Sequence, residues 1–530
     1  MSADTVKNEW DLSAIVNRVR RNMLGDLLLR TRERSPNKTA LIDKGTRLTY
    51  LELDDRVNKT AHAFLSAGMA KGDRLAVMSK NSMDFVVVNF ALARIGAVMI
   101  PLNYMLTESD IRYILNHAEV CGLIASREYA MVLDQSAVGM EMAHRYLMDT
   151  ADSLTGWVPL SMARNGQSSA FVDADIQDDD LAHVLYTSGT ESRPKGVMLS
   201  HKSLVSEYVS CIVDGQMAAG DVLVHALPFY HSAQLHVFLG PSIYVGASGI
   251  ILDTASPEII LKTIEAEQAT QLFAPPTVWI ALLRHPEFDR RDLSTLEKCY
   301  YGAAIMPREI LKELVERLPN ARFWNFYGQT EVAPLATALQ PGDQLRKLGA
   351  AGVATLNVQT KIVNEQGVEV ARGEIGEIVH RTPHAMKGYL NDPEKTAEAF
   401  RDGWFHSGDL GVMDEDGYIT VVDRKKDMIN TGGVNVSSRE VEEMIYQLEG
   451  VSEVAVIGLP DEYWIEAVTA IIVCKKGTSL TEEWVVDFCK TRLSTFKVPK
   501  SVYFTDELPK NPSGKVLKRK LREKYKRVDI

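Results

Sequence analysis

The chain has 530 residues, 45% hydrophobic and 24% charged, with a net charge of −11 at pH 7. These are ordinary globular proportions, and the acidic balance argues against nucleic acid as a partner, since phosphate backbones select basic surfaces. The length is too great for one core and corresponds to about three to four domains' worth of material. The five cysteines, Cys121, Cys211, Cys299, Cys474 and Cys489, are odd in number and never spaced C-x-x-C. That speaks against a disulfide framework or zinc site and fits a reducing cytosol. The N-terminus carries no signal-type apolar core. The most apolar long run, residues 85–102, is interrupted by Asn89 and Arg94 and is too broken for a membrane span. A cytoplasmic protein is expected, and a homodimer is left open.

In chain order, residues 56–67 have helical apolar spacing, and residues 74–78 read as a short buried strand. Residues 85–95 read as a helix and 97–100 as a strand. The alternation recurs at strands 223–227, 249–252, 271–274 and 298–301. Such alternation predicts α/β layers with largely parallel sheets. From about Val353 the texture changes to short strands and turns, at 359–363, 376–380 and 418–422. A charged connector follows, Asp423-Arg424-Lys425-Lys426-Asp427. Beyond it lies a compact unit with a helix at 438–448, strands at 451–458 and 467–474, and a basic tail. A boundary at the connector gives a large domain, residues 1–425, and a small one, residues 426–530.

The most informative stretch is Tyr186-Thr187-Ser188-Gly189-Thr190-Glu191-Ser192-Arg193-Pro194-Lys195-Gly196. It follows a strand-like run and precedes a helix-like segment at 203–212. Small hydroxyls, two glycines and two cations in one turn suit a polyphosphate. Glycine lets backbone N–H groups approach phosphate oxygens, and Ser and Thr hydroxyls donate further bonds. The glycine and lysine spacing is not that of a Walker A loop. Three further segments look specialised. Asn325-Phe326-Tyr327-Gly328-Gln329-Thr330-Glu331 offers a ring for a purine, a hydroxyl for a phosphate and a hard oxygen ligand for Mg²⁺. Trp404-Phe405-His406-Ser407-Gly408-Asp409-Leu410 sets a carboxylate behind a glycine turn, where it can accept ribose hydroxyls. Lys510-Asn511-Pro512-Ser513-Gly514-Lys515 presents a lysine on a turn. Each taken alone also reads as a plain structural turn or a solvated lysine.

Together and in this order, the motifs resemble those of the adenylate-forming (ANL) superfamily, in its acyl-CoA synthetase and fatty-acid–CoA ligase branch. The resemblance runs from about Asp26 to Arg522. It includes the T-S-G-T-x-G-x-P-K-G loop, the Y-G-x-T-E motif, the G-D motif, the R-x-K-D…G-G-x-N crossover at 423–435 and the N-x-x-G-K ending at 511–515. It implies an α/β fold: a large, multi-subdomain N-terminal domain with parallel-rich sheets, plus a small mobile C-terminal α+β lid. It implies two steps, acyl-adenylate formation from ATP and a carboxylate, then attack by a thiol after the lid turns.

By the same resemblance, Thr187, Ser188, Gly189, Thr190 and Lys195 hold the β and γ phosphates. Tyr327 lies against adenine, with Gly302, Ala303, Asn325 and Gly328 completing the nucleotide site. Thr330 meets the α-phosphate, Glu331 the Mg²⁺, and Asp409 and Arg424 the ribose. Lys515 bridges carboxylate and α-phosphate, and Lys426 is the hinge. Gly432 and Gly433 border the pantetheine path. His231, Val237, Tyr301 and Ala304 wall the acyl pocket, with His231 also a candidate catalytic group. The implied small molecules are ATP, Mg²⁺, coenzyme A and a carboxylic acid.

Three departures from the family pattern stand out. Glu191-Ser192 replaces the usual Thr-Gly of the loop, and Glu191 is expected to turn from the phosphates and pair with a cation. Val434 replaces a frequent Glu. Trp464-Ile465-Glu466 replaces a frequent W-G-E. An amino acid substrate is disfavoured, because the segment Phe229-Tyr230-His231-Ser232 lacks the Asp that would bind an α-ammonium. A medium- or long-chain fatty acid is the expected substrate. The alternatives are an aryl or short functionalised acid, loading of a carrier protein, or a silent nucleotide-binding protein.

Overall fold

The computed structural model describes residues 12–187, 193–304, 306–425, 427–461, 463–510 and 515–525. The architecture is α/β, with two large parallel-rich sheets, a smaller antiparallel sheet and a separate C-terminal sheet. In the nine-stranded sheet, Arg322–Gly328, Lys298–Gly302, Gln271–Phe273, Val222–His225, Ser248–Ile251 and Thr39–Asp43 run parallel in that order. Antiparallel strands flank them at both ends. In the eight-stranded sheet, Leu181–Thr187, Val98–Pro101, Arg74–Met78, Gly122–Ser126, His144–Met148 and Val158–Pro159 are parallel. Every strand of these parallel runs needs both faces covered, which is why they read in the sequence as short apolar runs.

The helix Met83–Ile95 is buried along almost its whole length between the two sheets. Its one cation, Arg94, is fully buried. It is answered by an ion pair with Asp54 and a 2.6 Å bond to Asn58 Oδ1. Arg94 is thus a paired core cation in the last turn of the helix. No helix among the described residues is long and apolar enough to cross a membrane.

One element lay outside the sequence reading. Between the glycine-rich loop and the helix His201–Asp214 runs a full strand, Lys195–Ser200. It pairs antiparallel with Leu181–Thr187, setting Thr187 opposite Lys195. The loop therefore closes a hairpin instead of joining a strand to a helix.

The third sheet, Gln359–Val363, Gly376–Arg381, Trp404–Met413, Phe400–Arg401 and Ile419–Arg424, is antiparallel throughout. The C-terminal sheet pairs Val451–Asp461 with Ile465–Cys474 antiparallel, and Ser501–Phe504 with the latter parallel. The helices Ser438–Ile445 and Glu482–Lys490 contribute to its own buried cluster, which includes Val441, Val456 and Val485.

Candidate active site

The site is assembled at the carboxyl ends of parallel strands, where open α/β sheets bind ligands. Strand Val222–His225 leads to His231, Lys298–Gly302 leads to Ala303, and Arg322–Gly328 ends on Tyr327 and Gly328. At two glycines the backbone of a neighbouring segment approaches so closely that a side chain is excluded. A Cβ on Gly302 would lie 2.4 Å from Phe326 O, and one on Gly328 would lie 1.7 Å from Pro334 O. Ala303 adopts φ +62°, a left-handed conformation that is uncommon outside glycine and often found at ligand sites.

A cavity of about 610 Å³ brings together Thr187, Lys195, His231, Val237, Ala303, Tyr327, Gly328, Thr330, Glu331, Arg424 and Lys515. Asn325, Ala304 and Asp409 line an adjoining cavity of about 290 Å³, which also reaches Tyr327 and Lys515. Ser188, Gly189, Thr190 and Glu191 lie outside the described residues, as does Lys426. Lys195 Nζ stands 4.3 Å from the centre of the Tyr389 ring and Arg193 5.0 Å from that of the Tyr113 ring.

Asp409 lies within the strand Trp404–Met413, where a glycine turn was expected, and is fixed by two partners. Tyr327 donates its hydroxyl to Asp409 Oδ2 at 2.8 Å, and Arg424 Nε stands 3.2 Å from Asp409 Oδ1. Sheet register sets Asp409 directly opposite Arg424. Burial, and then the Asp409 charge, push the Tyr327 phenol well above its ordinary range, so it stays a donor.

Thr330 and Glu331 sit on a short turn of helix after strand Arg322–Gly328. Ser232 Oγ lies 3.0 Å from Thr330 Oγ1, and Tyr389 donates to Glu331 Oε1 at 2.9 Å. Burial holds His231 at about 4, and the nearby Lys515 charge works the same way, so the imidazole is neutral at pH 7. Neutral His231 can position a carboxylate or a thiol but cannot bring positive charge to the site. Lys515 comes from the far end of the chain, yet it shares the cavity with Thr330 and Glu331.

The apolar end of the cavity begins on a π-helix, Ala233–Leu239, a wide turn often found at functional sites. Val237 lines the cavity, and beside it Phe238 stacks on Phe273 with ring centres 4.3 Å apart. Phe326 and Tyr300 pack against Phe238 at 6.1 and 5.2 Å. Tyr301 is not part of this wall. Strand alternation turns it to the opposite face from Tyr300, into the core beside Met306 and Leu311, with its hydroxyl bonded to Gln344 Oε1 at 2.7 Å. Gly302 likewise serves the approach to strand Arg322–Gly328 and is absent from the cavity lining.

Gly432 and Gly433 lie on an exposed hairpin that is not among the residues lining the main cavity. Gly432 N donates to Trp464 O at 2.6 Å, and Glu466 Oε2 accepts from Asn430 N at 2.7 Å. Ile465, standing where glycine is frequent, holds φ +69° and is exposed.

Sequence reasoning missed Ser232, Tyr389, Phe238 and Phe273. Ser232 adjoins His231 and could have been included. Tyr389 carries no local signal, because its contact with Glu331 spans 58 residues.

The model of the AMP-binding enzyme family matches residues 28–390, and that of the AMP-binding enzyme C-terminal domain matches residues 440–515. The chain belongs to the AMP-binding enzyme family. It falls in the acyl-CoA synthetase branch of the adenylate-forming superfamily and is an AMP-forming acid–CoA ligase. It is 36% identical over 508 residues to a feruloyl-CoA synthase of an Amycolatopsis species, covering 96% of this chain and 100% of the relative. It is 34% identical to the long-chain-fatty-acid–CoA ligase FadD13 of Mycobacterium tuberculosis, over 93% of this chain and 96% of the relative. Among solved structures it resembles ATP-bound MatB from Rhodopseudomonas palustris, with a TM-score of 0.86 and 34% identity over 95% of this chain and 99% of that one.

Proposed function

We propose that this ligase activates a compact carboxylic acid, aryl or short and functionalised, as its acyl-adenylate and passes the acyl group to CoA. The observation that carries this reading is one cavity lined by Lys195, Thr330, Glu331 and Lys515 together with His231, Val237 and Phe238. In the first step a carboxylate oxygen bonds to the α-phosphorus of ATP and the bond to pyrophosphate breaks. In the second the CoA sulfur bonds to the acyl carbon and AMP departs.

The first step sets anion against anion. Two unit charges at 4 Å repel by about 4 kcal/mol at an effective dielectric of 20. Lys515 at the reacting oxygens and Lys195 at the β and γ phosphates offset that repulsion, Thr330 orients the α-phosphate, and Asp409 with Arg424 holds the ribose. Glu331 fits a Mg²⁺ shared with ATP. Among the described residues no cluster of three or more His, Cys, Asp or Glu forms a ready-made cage, and Mg²⁺ is commonly held by one or two carboxylates plus substrate phosphates. Bound there, the ion neutralises charge on the phosphate oxygens. The second step requires Lys515 to leave and Gly432 and Gly433 to approach, which a lid hinged at residue 426 provides.

The limited space of the site favours a compact acid. The cavity of about 610 Å³ and the adjoining one of about 290 Å³ are each of the size that takes a single small ligand, and ATP and the acid share the two. The ring cluster of Phe238, Phe273 and Phe326 suits a flat acyl group. The likeness to a feruloyl-CoA synthase supports the same reading. The likeness to FadD13 supports the second reading, a medium- or long-chain fatty acid. AMP and acyl-CoA formation across acids from acetate to long fatty acids, with cinnamates and benzoates included, decides between them. An optimum on long unbranched acids overturns the compact-acid reading. AMP without acyl-CoA points to another thiol acceptor, such as a carrier protein.

A further inference from the structure

The connector between the two parts of the chain is tethered on each side by a different kind of contact. On the N-terminal side, Asp423 closes the strand Ile419–Arg424. Its Oδ2 accepts from Ser438 N at 2.8 Å and from Ser438 Oγ at 2.7 Å. Ser438 opens the helix Ser438–Ile445, and its hydroxyl in turn accepts from Lys518 Nζ at 2.6 Å. Lys518 also stands 2.8 Å from Glu442 Oε1, each side chain only 19% exposed. Burial works against the Lys518 charge, but Glu442 and then Asp423 hold it above the usual lysine range. Lys518 lies three residues beyond Lys515. On the C-terminal side, Asp427 pairs with Arg522 at 2.8 Å, a contact that lies wholly within the small domain.

These two tethers behave differently if the small domain turns about residue 426. The Asp427–Arg522 pair moves as one body. The Asp423–Ser438–Lys518 chain has Asp423 on the stationary sheet and the other members on the moving part, so it must break. We propose that Asp423 and Lys518 are positioning residues for the acid-activating step, latching the lid in the orientation that keeps Lys515 in the cavity. The inference rests on the two-position lid proposed above.

The test measures ATP–pyrophosphate exchange and, separately, CoA-dependent consumption of preformed acyl-adenylate. Asp423→Ala, Asp423→Asn, Lys518→Met and Lys518→Arg are compared in the full-length enzyme. A coupling of ordinary size lowers exchange kcat about tenfold in Asp423→Ala and Lys518→Met. The KM for ATP and adenylate consumption stay within about twofold, and Lys518→Arg restores most of the exchange rate. The double variant is no worse than either single one, because the pair acts as one unit. Equal loss in both half-reactions, or a raised KM for ATP through disturbance of Arg424, overturns the latch. Asp423→Asn keeps the test alive should Asp423→Ala fail to fold. Lys515→Ala separates the two ideas. If it splits the half-reactions and the Asp423 variants do not, only the latch fails. If it depresses both alike, the lid itself is refuted.

Discussion

The Tyr327 hydroxyl donates to the Asp409 carboxylate at 2.8 Å, joining residues 82 positions apart from two different sheets. The ring of Tyr327 is thereby tied to the carboxylate that, with Arg424, would take the ribose. Tyr327→Phe removes one bond to a charged acceptor, worth about 1.5–3 kcal/mol. The KM for ATP is expected to rise about tenfold with little change in the KM for the acid. Asp409→Ala should raise it further. Steady-state kinetics with ATP varied checks both, and an unchanged KM for ATP would remove Asp409 from the nucleotide site.

Lys515 enters the cavity from the small domain, so its loss should be selective. Lys515→Ala is expected to cut adenylate formation about 10²–10³-fold, the usual effect of losing one preorganised stabiliser. Thiolysis of preformed adenylate should be spared. Pyrophosphate exchange and single-turnover thiolysis measure the two steps independently.

Phe238 closes the apolar end by stacking on Phe273. Phe238→Leu should admit acids longer by a few methylenes, each worth about 0.8 kcal/mol of burial. The readout is the position of the kcat/KM optimum along a homologous series. An optimum that does not move would place the acyl terminus elsewhere.

Burial holds His183 and His225 at about 3, and His201 and His384 at about 4. Unfolded histidines titrate near 6.5. Between that value and 3 to 4 the unfolded chain is protonated and the folded one is not, so protonation favours unfolding. Stability is full above pH 6.5 and declines as pH falls, by about 1.4 kcal/mol per pH unit for each such histidine. Thermal unfolding midpoints recorded from pH 7.5 to 5 should drop steadily below 6.5. A flat profile would contradict the buried neutral rings.

Ile465 sits at φ +69° while pairing with Thr431. A left-handed conformation costs an L-residue about 1–2 kcal/mol, and a β-branched side chain is especially ill suited to it. Ile465→Gly relieves this, though glycine adds about 0.5–1 kcal/mol of chain entropy to the unfolded state. A net gain of up to about 1 kcal/mol in the stability of the small domain is expected, read from denaturant unfolding. A loss would mean that Ile465 contributes packing despite its exposure.

Much of the site was legible because its chemistry is carried by short contiguous segments. Tyr327, Thr330 and Glu331 lie within five residues, and Asp409 and Lys515 each belong to a short local motif of their own. The parallel strands were legible for a similar local reason: burial on both faces demands apolar runs. The acyl wall was less so. Tyr300 and Tyr301 look alike in sequence, and only the handedness of the strand's alternation decides that Tyr300 packs toward Phe238 while Tyr301 turns to Gln344. The hairpin at Lys195–Ser200 was hidden because an apolar strand running directly into a helix gives no turn signal between them.

By itself the sequence determined the class of chemistry, the alternation of helix and strand, and the acids, hydroxyls and lysines available to a nucleotide. Those properties follow from local composition and spacing. Tertiary structure alone decided which of them meet. It set Lys515 and Thr330 on one cavity, gave Glu331 a partner in Tyr389, stacked Phe238 on Phe273, and linked Asp423 to Lys518 through Ser438. Each of these contacts joins segments far apart in the chain, and their geometry is set by how the sheets and the small domain pack, which no short stretch of sequence encodes.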